Sequence, residues 1–210
     1  MNKIAQHACL PVLTIAMLLS PLAGCSKKSE PSASELSQQQ PLKQRVEELL
    51  KRAETGDAVA QAELGQLYAS GQGLPKNAAR AAELFRKAAD KGIASAQYGL
   101  GKLYEQGDGV PQDSAKAVDL LKRSAVNGYA KGQAALGALY AKGKGVTHDE
   151  VLAYVWSSLA VAQGEAEAKQ VQDSVALSSV LRDEAERLKT KWKRGVEIVR
   201  EKQEAAVPVK

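Results

Sequence analysis

Two His and two Cys among 210 residues leave little material for acid–base, nucleophilic or metal chemistry. A Ser-His-Asp set needs a base and an orienting carboxylate that converge on one hydroxyl. His148 has no such partner nearby in sequence and reads as a surface-loop residue. The pairs Glu47-Glu48 and Asp183-Glu184 fall on the outer faces of expected helices, a poor place for general acid–base work. Three Gly-x-Gly units (Gly71 and Gly73, Gly107 and Gly109, Gly143 and Gly145) could cradle a phosphate. A dinucleotide fingerprint, however, needs a preceding strand and a third Gly, and here neither is present. Arg187, Lys189, Lys191, Lys193 and Arg194 form the densest basic run. Glu184, Glu186 and Glu197 are interspersed with it, so it reads as a solvated face before it reads as contact with lipopolysaccharide, an acidic partner or a membrane. No catalytic residue, metal or cofactor is expected, and the chain is not expected to be an enzyme.

Cys25 is the exception. Residues 1–24 have the form of an export signal. Lys3 is followed by an apolar run from Cys9 to Leu19, interrupted by Pro11 and too short for a span of about 20 apolar residues. The run ends in Leu22-Ala23-Gly24-Cys25, which resembles the lipobox of bacterial lipoproteins. The resemblance implies cleavage before Cys25, a diacylglycerol thioether on its sulfur and an acylated amino group. Two or more acyl chains give stable anchoring where one does not. Ser26, by the same resemblance, directs sorting to the outer membrane. Cys9 and His7 leave with the signal, so no free thiol and one His remain. Residues 25–40 are rich in Ser, Lys, Glu, Pro and Gln and read as a flexible tether, with an r.m.s. span of roughly 20–25 Å.

The remaining chain must position whatever the protein presents, and it is periodic. Ala58 to Gly92, Ala94 to Gly128 and Ala130 to Gly164 align without gaps at a spacing of 36. Each copy predicts two helices. The first carries Leu64, Gly65 and Tyr68, matched by Leu100, Gly101 and Tyr104 and by Leu136, Gly137 and Tyr140. A mid-helix Gly costs about 1 kcal/mol against Ala, which predicts a second helix packed closely there. The Gly-x-Gly units then end the first helix. Asn77, Asp113 and Asp149 are expected N-caps of the second, whose inner face is rich in Ala. Aromatic residues are only 4% of the chain and net charge is +5. The first value excludes a large aromatic core, and the second does not call for nucleic acid, which is not expected as a partner.

These residues resemble the Sel-one-like repeat family, relatives of the tetratricopeptide repeats. The second copy shows the family pattern most fully: Ala94, Gln97, Leu100-Gly101, Tyr104, Gly107-Asp108-Gly109-Val110, Asp113, Ala117, Ala125 and Gly128. The third departs from it, with Val161 for an Ala and Trp156 beside Tyr154. The resemblance implies an all-α, right-handed solenoid of helix-turn-helix repeats with helical caps. The expected order is a 1–24 signal, a 25–40 tether, a 41–57 half-repeat, repeats at 58–92, 93–128 and 129–164, caps over 165–203 and a frayed 204–210 tail. Within the caps, Ala166 to Val175 predicts a further first helix. Ser178 or Ser179 would then open a long last helix from Val180 to about Gln203.

A short solenoid offers an extended concave surface for binding protein elements. The expected contacts are first-helix positions that vary while the frame stays fixed: Glu63, Gln66, Ser70, Tyr98, Lys102, Gln106, Lys131 and Lys142. One varying row is Glu63, Gly99 and Ala135. The expectation is a non-enzymatic, periplasm-facing outer-membrane lipoprotein that binds an unidentified periplasmic or envelope protein. The alternatives are a structural part of an envelope machine for polysaccharide export, secretion or flagellar rotation, and a binder of peptidoglycan. Cysteine-rich members of the family linked to penicillin binding hold each repeat with a disulfide. No repeat here contains Cys, so that activity is not carried over.

Overall fold

The computed structural model describes residues 33–198, with side chains from Leu42 onward. Cys25, Ser26 and the 204–210 tail lie outside the described residues. Among those residues there are nine helices and no strand. Helix α1 is Ala33–Glu54; α2 (Ala58–Ser70) and α3 (Ala78–Asp90) form the first pair, α4 (Ala94–Gln106) and α5 (Ser114–Val126) the second, and α6 (Ala130–Lys142) and α7 (Glu150–Ala162) the third. The short α8 (Ala168–Ser174) and α9 (Ser179–Lys191) follow. From α1 to α8 each helix packs on its chain neighbour, α9 packs on α7, and α2, α4, α6 and α8 also touch in succession. The fold is an all-α solenoid with first helices in one layer and second helices in the other.

Local chemistry sets the equal lengths. Asn77, Asp113 and Asp149 each accept a hydrogen bond from the backbone N–H three residues on, at 2.9–3.0 Å. These bonds satisfy donors that a helix start leaves open. The same three residues donate their own N–H groups to the carbonyls of Tyr68, Tyr104 and Tyr140, tying every loop back to the first helix. At the close of α5, Gly128 has φ +82°. Its N–H donates to the Ala125 carbonyl and that of Tyr129 to the Ser124 carbonyl. This Schellman pattern recurs around Gly92 and Gly164.

The frame glycines hold the layers together. A Cβ on Gly101 would lie 3.0 Å from Leu121 and 3.3 Å from the Ala117 carbonyl. On Gly137 it would lie 3.0 Å from the Ser157 backbone N. On Gly65 it would meet the Phe85 ring at 2.8 Å, and a Cβ on Gly99 would meet the far side of the same ring at 2.7 Å. The chain's single Phe is thus held between two glycines of successive repeats. In the loops, a Cβ on Gly109 (φ +70°) would collide with the backbone of Ala78.

Two boundaries differ from the sequence expectation. Helix α1 begins at Ala33, inside the stretch whose composition reads as tether. Val46 and Leu49 are buried, so the packed part of α1 supplies the nucleus. A helix propagates from an existing turn far more easily than it starts, and Glu35, Leu36 and Gln38 to Gln40 are good helix formers. At the other end, α9 stops at Lys191 instead of running to Gln203. Trp192 is extended (φ −65°, ψ 137°), and its ring meets Trp156 edge-on at 6.2 Å. Gly195 then turns the chain (φ +85°) and donates its N–H to the Val126 carbonyl at 2.8 Å, and Ile198 is buried. Burial of Trp192 and Ile198 outweighs a few more turns of exposed, charged helix.

A candidate binding groove

The 36-residue register places matching side chains of α2, α4 and α6 side by side. Leu64, Leu100 and Leu136 are buried at 3%, 3% and 1% exposure. Tyr68, Tyr104 and Tyr140 are half-buried above them. Gly71, Gly107 and Gly143 cap the first helices in the left-handed conformation. Gly73, Gly109 and Gly145 turn the loops onto the preceding element: a Cβ on each would meet Leu42, the Ala78 backbone and Val118 respectively.

Buried glutamines add an order that the varying positions did not reveal. Gln133, fully buried, donates from Nε2 to the Ala125 carbonyl and accepts from Gln163 Nε2 at 2.6 Å. Gln97 repeats this with the Ala89 carbonyl and Asn127. Gln61 donates to the Ala53 carbonyl, but Lys91 stands where Asn127 and Gln163 stand later, and its Nζ donates to the Gly56 carbonyl. Gln61 Oε1 is left buried without a hydrogen-bond partner. The signal in the sequence was an invariant Gln followed thirty residues later by an amide. Gln133→Ala is expected to cost about 1–3 kcal/mol, since it removes two hydrogen bonds of roughly 0.5–1.5 kcal/mol each. Gln61→Ala is expected to cost less. Urea denaturation of the two variants checks the order, and equal costs would sink the ladder account.

The surface of α4, α6 and α8 encloses a groove of about 610 Å³. Tyr98, Lys102, Lys131 and Lys142 line it, so the fold brings together half of the eight expected contact residues. Ala134, Ala135 and Ala138 make its floor. Glu165, Glu167, Gln170 and Val171 bring the far wall. Sequence reasoning missed that wall, although Glu167 falls one period after Lys131.

The other expected contacts stand elsewhere. Glu63 forms an ion pair with Arg45 of α1 at 3.1 Å. Gln66 and Gln106 are exposed outside the groove. The Ser70 hydroxyl donates to the Leu67 carbonyl of its own helix. Gly99 is not a surface variable at all, because it faces Phe85.

The electrostatics of the groove are uneven. Lys102 pairs with Glu105, which also takes Lys144 from the next loop at 3.3 Å. The hydrogen bond from Lys102 is the main reason the Glu105 carboxyl is held below the usual range. Burial pushes the Tyr98 hydroxyl up, and its ring rests against Tyr129 at 5.6 Å. Lys131, Lys142, Glu165 and Glu167 make no ion pair among the described residues. Elsewhere, His148 is exposed. No group of three or more His, Cys, Asp or Glu among the described residues is placed to hold a metal ion. Within the basic run, Lys189 pairs with Glu186.

Residues 58–93, 94–129 and 130–165 each match the Sel1 repeat, and together they cover half of the chain. The chain is a Sel1 repeat protein. Its solenoid is similar to the crystal structure of a Sel1 repeat protein from Oxalobacter formigenes, at 40% identity and a TM-score of 0.53. That match covers 60% of this chain and 95% of the other. It is also similar to a protective antigen present in uropathogenic Escherichia coli strains and displaying an SLR fold, at 41% identity and a TM-score of 0.54. There the match covers 60% of this Sel1 repeat protein but only 27% of the antigen. Among curated proteins, none matches. Sel1 repeat proteins are typically non-catalytic scaffolds for protein–protein interaction.

Proposed function

We propose that this Sel1 repeat protein is a non-enzymatic adaptor of the bacterial envelope, tethered by lipid on Cys25 to the outer membrane and holding a periplasmic or envelope protein on its repeat surface. The observation that carries the binding role is the groove, where Tyr98, Lys102, Lys131 and Lys142 converge over a floor of alanines. Concave repeat surfaces serve binding because their frame residues fix the backbone while the lining varies. The membrane part rests on the 1–24 leader and on Leu22-Ala23-Gly24-Cys25. Ser26 supports outer-membrane sorting.

Two measurements test the two parts. Cys25→Ala is expected to leave the outer-membrane fraction and to appear soluble or unprocessed. Equal partitioning of wild type and variant would remove the anchor from the reading. Crosslinking in intact envelopes, with Cys25 retained, tests the adaptor role. Transient capture of a protein supports it, whereas co-purification at fixed stoichiometry makes the chain a structural part of a larger machine. Retention on purified peptidoglycan would replace the protein partner with a glycan.

A further inference from the structure

We propose that the groove between α4, α6 and α8 receives an extended, dipolar peptide segment, with a cationic side chain at the Glu165 and Glu167 end and a carboxylate at the Lys142 end. This rests on the adaptor reading and names the chemistry of the partner segment. Lys131 and Lys142 sit in the first and last turns of α6. Eleven residues separate them, about 16 Å along a helix. Near Lys131, the Tyr98 hydroxyl feels Lys131, Glu165 and Glu167 together, so two carboxylates face one ammonium. At the other end Lys142 is unpaired, and Glu105 is shared between Lys102 and Lys144, so positive charge is in excess. The groove therefore runs from net negative to net positive.

Its floor decides what can lie between the charges. Ala134, Ala135 and Ala138 stand where the preceding repeat has Tyr98, Gly99 and Lys102, and they offer only methyl groups. An amphipathic helix needs large apolar pockets for its anchors, and this floor has none. An extended chain needs room for small side chains and partners for its amides, and the Tyr98 hydroxyl and the Gln170 amide line the same groove. At about 3.3 Å per residue, the 16 Å between the ends sets the opposite charges about five residues apart. The groove volume, about 610 Å³, lies within the roughly 300–1,000 Å³ typical of built ligand sites.

The test uses the full chain and three labelled hexapeptides: Lys-Ala-Ser-Gly-Ala-Glu, its reversed sequence, and a neutral version with Gln at both ends. Binding is followed by fluorescence anisotropy and by amide NMR shifts. One of the charged orders is expected to bind at least tenfold more tightly than the neutral peptide, to shift the amides of Ala135 and Ala138, and to weaken with added salt. Glu167→Lys and Lys142→Glu, both exposed, are each expected to weaken it at least fivefold with helicity unchanged. The combined variant Glu165→Lys, Glu167→Lys, Lys142→Glu is expected to prefer the opposite order. Equal binding of neutral and charged peptides, an unchanged order preference in the combined variant, or shifts confined to α2 overturns the proposal. A photo-crosslinker at Ala138 or at Gln66, used in intact envelopes, separates its failure from that of the adaptor reading. A protein adduct at Ala138 that is lost in the combined variant supports the proposal. An adduct that persists there, or forms only at Gln66, overturns the dipolar segment and leaves the adaptor. No adduct at either site overturns both.

Discussion

Replacement of Trp156 by alanine is expected to destabilise the C-terminal part of the solenoid by about 3–5 kcal/mol, the range for deleting a large buried aromatic side chain. Trp156 is 1% exposed and is the largest fully buried side chain among the described residues. Its ring supports Trp192 edge-on, and the same cluster includes Val175, Leu177, Ala185 and Ile198. The cavity would open where α7, α8, α9 and the returning 192–198 segment meet. Each repeat contacts only its neighbours, so the loss should stay local. Native-state hydrogen exchange is expected to show protection falling across 168–191 while α2 and α3 keep theirs. Uniform loss of protection along the chain would mean that the repeats are coupled more tightly than a nearest-neighbour array allows.

Gly101→Leu is expected to destabilise the repeats by about 3 kcal/mol or more. A single Cβ at Gly101 already stands 3.0 Å from Leu121 and 3.3 Å from the Ala117 carbonyl. Leucine adds three further carbons at the seam between α4 and α5. Overpacking typically costs about 1–3 kcal/mol and occasionally more. Here the backbone carbonyl cannot rotate aside, and relief requires α4 to leave α5. That pair sits in the middle of the array, so both flanks lose a neighbour. Helix propensity returns only about 1 kcal/mol, against a total stability of about 5–15 kcal/mol for a typical domain. Gly101→Ala is expected to be far milder, because a single Cβ asks Leu121 Cγ, at 3.0 Å, and the Ala117 carbonyl, at 3.3 Å, to give by only a few tenths of an ångström, against the propensity gain of about 1 kcal/mol. Thermal unfolding by circular dichroism distinguishes the two. An unchanged midpoint in the leucine variant would remove close packing as the reason for the glycine.

Much of this was legible beforehand because the repeat averages over noise. Asn77, Asp113 and Asp149 at a spacing of 36 could be read as N-caps from their type and place, and each caps through the same hydrogen bond. Gly65, Gly101 and Gly137, costly within a helix, implied a close neighbour, and each has one. The flanks were less legible because they repeat nothing. Trp192 fits a helical face in sequence, and only the presence of Trp156 beneath it makes an extended backbone the better solution. Gly99 looked like a free variable, since Glu63 and Ala135 occupy the same row. The Phe85 ring of the preceding repeat takes the space its side chain would need.

The division has a physical cause. Periodicity, capping and helix-ending glycines act within about one turn or one loop, so the residue order alone determined the repeat, the helix pairs and the all-α class. The lipid attachment proposed at Leu22-Ala23-Gly24-Cys25 likewise rests on a linear motif that needs no fold to be read. The groove depends on distances between residues one or two periods apart. Tyr98, Lys131 and Glu167 meet only when α4, α6 and α8 stack, and stacking also pairs Glu63 with Arg45 and sets Gly99 against Phe85. Which varying positions line the groove, and which charge stands at which end, was decided by the tertiary structure.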